Sequence, residues 1–289
     1  MHYSQAIALA CLTLTTIPAS WSLPALARGR DCPPSLIECP DRGDEDLWAD
    51  TAIPFIISPR RTDLLTTQPL LRWNPVAGAT RYTVTLSGET DDWTVETSNT
   101  QIQAPPLQRG QSYLLIVEAD TGAASLSEDL VSGGLEFQVL DAATAEVIAA
   151  EVLAIRDMPT DPTEKVLAIA RFFRRQDLIA DALAELEILV PELRSPAVYL
   201  LLGDLYREDL QLAPPALPYY EQAVAQGQKE SQEFQARAHD GLAEVYAAMG
   251  RSEDALAARR RAIDLYEQSG NLNRARELER QLEEWLMLR

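Results

Sequence analysis

Few residues in this chain of 289 have the type and spacing that chemistry needs. Asp120-Thr121-Gly122-Ala123 is the sharpest candidate. An aspartate in such a turn can share one proton with a counterpart from a second half or subunit and so act on a peptide bond. Glu118 and Ala119 precede it, and a turn after a strand favours Asp-Thr-Gly for conformational reasons alone. A serine or cysteine nucleophile needs an adjacent base, usually histidine. His239, however, stands at a helix-packing position, and there is neither a Gly-rich phosphate loop nor an HExxH motif. The acidic run Asp41-Arg42-Gly43-Asp44-Glu45-Asp46 lacks the alternating ligand spacing of a calcium loop and reads as a solvated linker. No catalytic residue, metal or cofactor is therefore expected.

Two further sets of residues could bind or brace. Cys32 and Cys39 lie in a short segment rich in proline and charge. In an oxidising compartment a disulfide between them would close a small loop, stabilising it by roughly 2.5 kcal/mol on the chain-entropy estimate. Two thiolates alone do not make a closed zinc site, which needs four ligands. The second set is basic: Arg171, Arg174 and Arg175, and again Arg259, Arg260 and Arg261. With a net charge of -19, the surface as a whole repels duplex nucleic acid.

The elements that hold these residues show their own spacing. Ala170 is answered by Ala182, Gly203 by Ala216 and Ala243 by Ala255, as if a helical hairpin recurred every 34 residues or so. Two helices approach closely only where side chains are small, and such a hairpin buries its apolar face only by stacking on its neighbours. The second copy carries Tyr199, Leu202, Gly203, Tyr206, Ala216, Tyr220 and Ala223. The first carries Val166, Ile169, Ala170, Phe173, Ala182, Leu186 and Leu189, and the third His239, Leu242, Ala243, Tyr246, Gly250, Ala255 and Ala262. The pattern resembles tetratricopeptide repeats. The second copy departs by one inserted residue, placed around Pro214-Pro215, and Arg259 stands where the family usually has a bulky apolar side chain.

The resemblance implies a concave groove that binds protein or peptide. It places Arg171, Arg174, Arg175, Arg207 and Arg237 on the groove side, together with Asp204, Asp240 and Glu244. An acidic peptide or carboxylate terminus would dock there through charge-assisted hydrogen bonds; the alternative is pairing of these arginines with the abundant acids of the chain itself.

Punctuation supports the hairpins. Asp161-Pro162-Thr163-Glu164 has an N-cap acid, a proline at the first helical position and a glutamate three residues after the cap. Gly250 should end one helix and Ser252 cap the next, and Gly270-Asn271 repeats the arrangement before a last helix. Residues 142–155 also have helical periodicity.

Upstream of the hairpins, short alternating segments predict strands at Ile53–Ser58, Leu70–Trp73, Tyr82–Leu86, Trp93–Glu96, Ile102–Ala104, Tyr113–Ala119 and Leu135–Val139. Pro69-Leu70-Leu71-Arg72-Trp73-Asn74-Pro75, Tyr82 with Val84, and Leu107, Gly110, Tyr113 and Val117 resemble a fibronectin type III domain. The resemblance implies a sandwich with Trp73, Tyr82, Leu107 and Tyr113 between its sheets, in a spacer or adhesive role.

Residues 1–27 carry no Lys, Arg, Asp or Glu, run apolar from Ala6 to Ile17 and end in Ala25-Leu26-Ala27, the pattern of a signal-peptidase site. That apolar run is too short for a bilayer, which needs about 20 residues. Export to a periplasm or the medium is expected, without an integral membrane segment after cleavage. The layout is similar to that of envelope proteins found in cyanobacteria.

The expected fold class is α+β multidomain: an all-β fibronectin III/Ig-like sandwich followed by an all-α tetratricopeptide-like helical solenoid. The expected divisions are a signal peptide at 1–27, a linker at 28–51, the sandwich at 52–140 and a connecting helix at 141–160. Repeats at 163–195, 196–230 and 236–269 then lead to a capping helix at 271–289. The expected function is a non-catalytic exported adaptor for a protein or peptide. The alternatives are a secreted aspartic peptidase using Asp120 and a structural or oligomerising envelope component.

Overall fold

The computed structural model describes residues 50–90, 92–127, 135–188, 190 and 194–287, which belong to one compact unit spanning Asp44–Arg289. The segment 1–27 expected to be a leader, and Cys32 and Cys39, expected to form a disulfide, lie outside the described residues.

The first part is β. Its strands are β1 (Ile56–Ser58), β2 (Asp63–Leu64), β3 (Leu70–Trp73), β4 (Tyr82–Gly88), β5 (Asp92–Thr97), β6 (Gln101–Gln103), β7 (Ser112–Ala119) and β8 (Glu136–Val139). Among the described residues they form a three-stranded sheet in the order β1-β3-β6 and a five-stranded sheet in the order β2-β8-β7-β4-β5. Alternate residues of β4 and β7 are buried, because successive side chains of a strand point to opposite faces. Trp73 and Tyr82 meet edge to face at 5.6 Å in the core with Leu71, Val84, Leu115 and Phe137. Two tyrosine hydroxyls tie down loops: Tyr82 accepts from the Val76 N–H at 2.9 Å and Tyr113 from the Gln108 N–H at 2.8 Å. Strands form at all seven places where alternation predicted them, with bounds shifted by up to three residues. The additional strand β2 pairs in parallel with β8 and is too short for alternation to reveal it.

The second part holds eight α-helices among the described residues: α1 (Ala142–Arg156), α2 (Pro162–Arg175), α3 (Ile179–Glu187), α4 (Pro196–Asp204), α5 (Ala213–Gln226), α6 (Gln232–Ala248), α7 (Ser252–Ser269) and α8 (Leu272–Met287). The fold class is thus α+β, with sheets followed by helices. Successive helices pack on one another: α2 on α3, α4 on α5, α5 on α6, α6 on α7 and α7 on α8. The six small residues Ala170, Ala182, Gly203, Ala216, Ala243 and Ala255 are all buried.

Local chemistry sets the helix ends. The Asp161 carboxylate accepts from the Thr163 N–H at 2.8 Å, with Pro162 as the first helical residue. Gly250, at φ 71°, lets the Arg251 N–H reach back to the Tyr246 carbonyl at 2.8 Å and close α6. Ser252 is not the cap expected of it. It is the first residue of α7, and Arg251 takes the capping place without a side-chain cap on a helix N–H; its Nε donates to the Asp254 carboxylate of the first turn at 2.8 Å. Between α4 and α5 the chain forms a π turn at Leu205–Asp209. A π turn accommodates an extra residue, so the insertion of the second hairpin sits here and not at Pro214-Pro215.

The sheets and helices share a seam. The Asp63 N–H donates to the Asp177 carbonyl at 2.9 Å, the Leu65 N–H to the Asp181 carboxylate at 3.0 Å, and buried Arg60 to the Leu210 carbonyl at 2.8 Å. Phe55 belongs to the core of the helical part.

Candidate functional site

The helices carry a chain of charges in which all the links but Arg207–Glu208 join different elements. At one end, Arg174 on α2 meets the π turn, its Nε 2.9 Å from Asp209 Oδ2 and its Nη2 at hydrogen-bond distance from Glu208. Arg207 on that turn binds Glu208 and reaches forward to Glu244 on α6, and its Nε donates to the Tyr220 hydroxyl at 2.7 Å. The Tyr220 hydroxyl in turn donates to Asp204 Oδ1 at 2.7 Å, while Arg237 on α6 donates to Asp204 Oδ2 at 3.0 Å. The chain ends at Asp240, which accepts from Arg259 on α7 and from Arg274 on α8 at 2.7 Å.

Five arginines thus face Asp204, Glu208, Asp209, Asp240 and Glu244. Asp204 is only 4% exposed and Asp240 6%, and guanidinium groups and a phenol supply the hydrogen bonds that water would give. The titration behaviour follows. Burial raises the Asp204 carboxyl and Glu208 adds to the rise, against Tyr220, Arg237 and Arg207. Burial pushes Asp209 up to about 6 despite Arg174. For Arg207 burial disfavours the charge, yet Tyr220, Glu244 and Glu208 outweigh it and hold the guanidinium above its ordinary value.

Arg174, Arg207, Arg237, Asp204, Asp240 and Glu244, six of the eight groove residues expected from the sequence, therefore lie in this network; Arg207 pairs with Glu244 and Arg237 with Asp204, whereas Arg174 and Asp240 pair with residues outside the expected set. Arg171 and Arg175 do not join them: both are exposed on α2. Sequence reasoning missed the role of Arg259 and Arg274. The signal for Arg259 was its charge at a position that the repeat pattern fills with a bulky apolar residue.

Tyr220 is also the steric centre of this region. It is fully buried, and its ring lies against two glycines: a Cβ on Gly203 would come within 3.0 Å of it, and a Cβ on Gly241 within 2.4 Å.

A second cluster sits where the sheet meets the helices. Arg72 on β3 pairs with Glu187 at the end of α3, and its Nη2 donates to the Tyr206 hydroxyl at 2.7 Å. Tyr206 donates in turn to Glu187, and Tyr219 lies at 3.4 Å from the same carboxylate.

The remaining candidates occupy separate places. The Asp120 carboxylate accepts from the Thr80 N–H at 3.0 Å and from its hydroxyl at 2.6 Å, and these bonds hold it below the ordinary carboxylate range. It ties the turn after β7 to the turn before β4. His239 is half-buried, and burial together with Arg261 lowers its pKa. Among the described residues there is no group of three or more His, Cys, Asp or Glu able to hold a metal ion, and no helix is long and apolar enough to cross a membrane.

No protein-family model matches this chain, and no curated protein does. Among solved structures, the crystal structure of MamA protein is similar over 50% of this chain and 82% of its own, with 18% identity and a TM-score of 0.34.

Proposed function

We propose that this chain is a non-catalytic, exported adaptor: a solenoid of tetratricopeptide-like hairpins holds a segment of another protein, and a fibronectin III-like sandwich positions it. The observation that carries this reading is the span of the helix-to-helix bonds. Arg174 to Glu208, Arg237 to Asp204 and Arg274 to Asp240 cover 34, 33 and 34 residues. Arg207 to Glu244 covers 37, and bonds clustered near 34 residues in sequence are what a stacked array of about 34-residue units would make between neighbouring copies.

The internal pairing also narrows where a ligand would bind. Arg174, Arg207 and Arg237 already have partners, which leaves Arg171 and Arg175 as the exposed cations of α2 and the natural docking point for an acidic segment. The peptidase alternative has less support, because both oxygens of Asp120 are engaged by Thr80.

Titration of a synthetic tetraglutamate peptide onto the wild type and an Arg171→Glu/Arg175→Glu variant tests the proposal. We expect measurable affinity that falls at least tenfold in the variant and weakens with salt. Equal affinity in both proteins would place binding elsewhere.

A further inference from the structure

The cluster built on Arg72 and Glu187 forms the floor of a pocket of about 590 Å³ between the sheet and the helices, a volume in the range of ligand sites. The floor is closed electrostatically. Glu187 already receives Arg72, Tyr206 and Tyr219, so it has little to offer a cation, and Arg72 is already held by Glu187 and the Tyr206 hydroxyl, so it has little to offer an anion. The guest that fits is uncharged where it touches.

The walls specify more. Tyr219 stacks on Tyr206 at 5.5 Å with an interplanar angle of 6°, and Pro215 and Pro218 of α5 stand beside them. These are flat, rigid apolar faces. At the mouth, the Gln222 side-chain oxygen Oε1 accepts from Gln226 Nε2 at 2.8 Å, and the Gln222 amide nitrogen brings two N–H donors to a guest. Flat walls and a donor at the rim complement a ligand with apolar rings and backbone acceptors but no N–H groups.

We propose that this pocket binds a proline-rich segment of a partner protein in the polyproline II conformation. Such a segment has three residues per turn, solvated carbonyls and little conformational entropy left to lose, and aromatic-lined grooves recognise it. Its rings pack against Tyr219 and Pro218, and one of its carbonyls accepts from Gln222. This site is separate from Arg171 and Arg175 and does not depend on the adaptor reading of α2.

The probe is decaproline, titrated onto the full chain by calorimetry and by amide NMR. Decaproline should bind and shift amides near residues 72, 187 and 219. Gln222→Trp, at an exposed helix position, should obstruct the mouth, and Tyr219→Ala should remove a wall. Each should weaken binding at least tenfold with the circular dichroism unchanged, while Arg171→Glu/Arg175→Glu should leave it intact. No binding by about 10 mM, equal affinity in the Gln222→Trp variant, or binding of cellohexaose in place of decaproline would overturn the proposal.

Discussion

Arg237 Nη2 lies 3.0 Å from Asp204 Oδ2, 33 residues earlier in the chain, and Arg274 stands in the same relation to Asp240, 34 residues earlier. Each arginine sits on a later helix than its aspartate and reaches back to it. A charge removed from such a site leaves its partners unpaired, and the effect grows with burial.

Asp240→Ala should therefore destabilise the protein by about 3 kcal/mol, since two guanidinium groups lose their acceptor in a buried setting. Arg274→Ala, whose side chain is 39% exposed, should cost less, on the order of 1 kcal/mol or below. Urea denaturation monitored by circular dichroism gives both values. A larger loss from Arg274→Ala would contradict the assignment of Asp240 as the shared acceptor.

Gly241→Ala pits two effects against each other. Alanine favours a helix interior by about 1 kcal/mol over glycine. Its Cβ would lie 2.4 Å from the Tyr220 ring, and that ring cannot retreat because Gly203 lies against it as well. Overpacking of about 1 to 3 kcal/mol wins. The variant should have a lower melting temperature, and Gly241→Ala combined with Tyr220→Leu should lose less than the sum of the two single changes.

Asp181 gives a pH test. Burial pushes its carboxyl up to about 6 from an ordinary 3.8, against the bond from the Leu65 N–H. The folded state holds this proton more tightly than the unfolded one, so the stability contributed is present below the unfolded value and is lost as pH rises through about 6. Asp181→Asn keeps an acceptor for Leu65 and removes the titration. Relative to wild type, the variant should gain stability between pH 4 and pH 7, by roughly 3 kcal/mol at most. A difference independent of pH, read from denaturant midpoints, would show that Asp181 is not buried at the seam.

Much of the fold was legible because local rules sufficed. Alternation marks β4 and β7, the Asp161-Pro162 pair announces α2, and small residues a dozen positions apart mark the hairpins. Gly241 carried a signal that went unread: a glycine in mid-helix is unfavourable unless something lies close against it. What local rules could not reveal are pairings set by the packing of distant elements. Arg72 meets Glu187 across 115 residues, and Arg259 and Arg274 converge on Asp240 only once α7 and α8 have packed in sequence on α6. For the same reason the arginines of α2 read alike in sequence, yet the fold pairs Arg174 with the π turn and leaves Arg171 and Arg175 facing outward.

The most direct measurement is photo-crosslinking in intact cells. A benzophenone amino acid is placed at position 171 or 175, and as a control at exposed position 96 on β5. The account predicts adducts with one discrete protein from positions 171 and 175 and none from 96. Adducts that are the same from all three positions, or that join only a second copy of this chain, would contradict it.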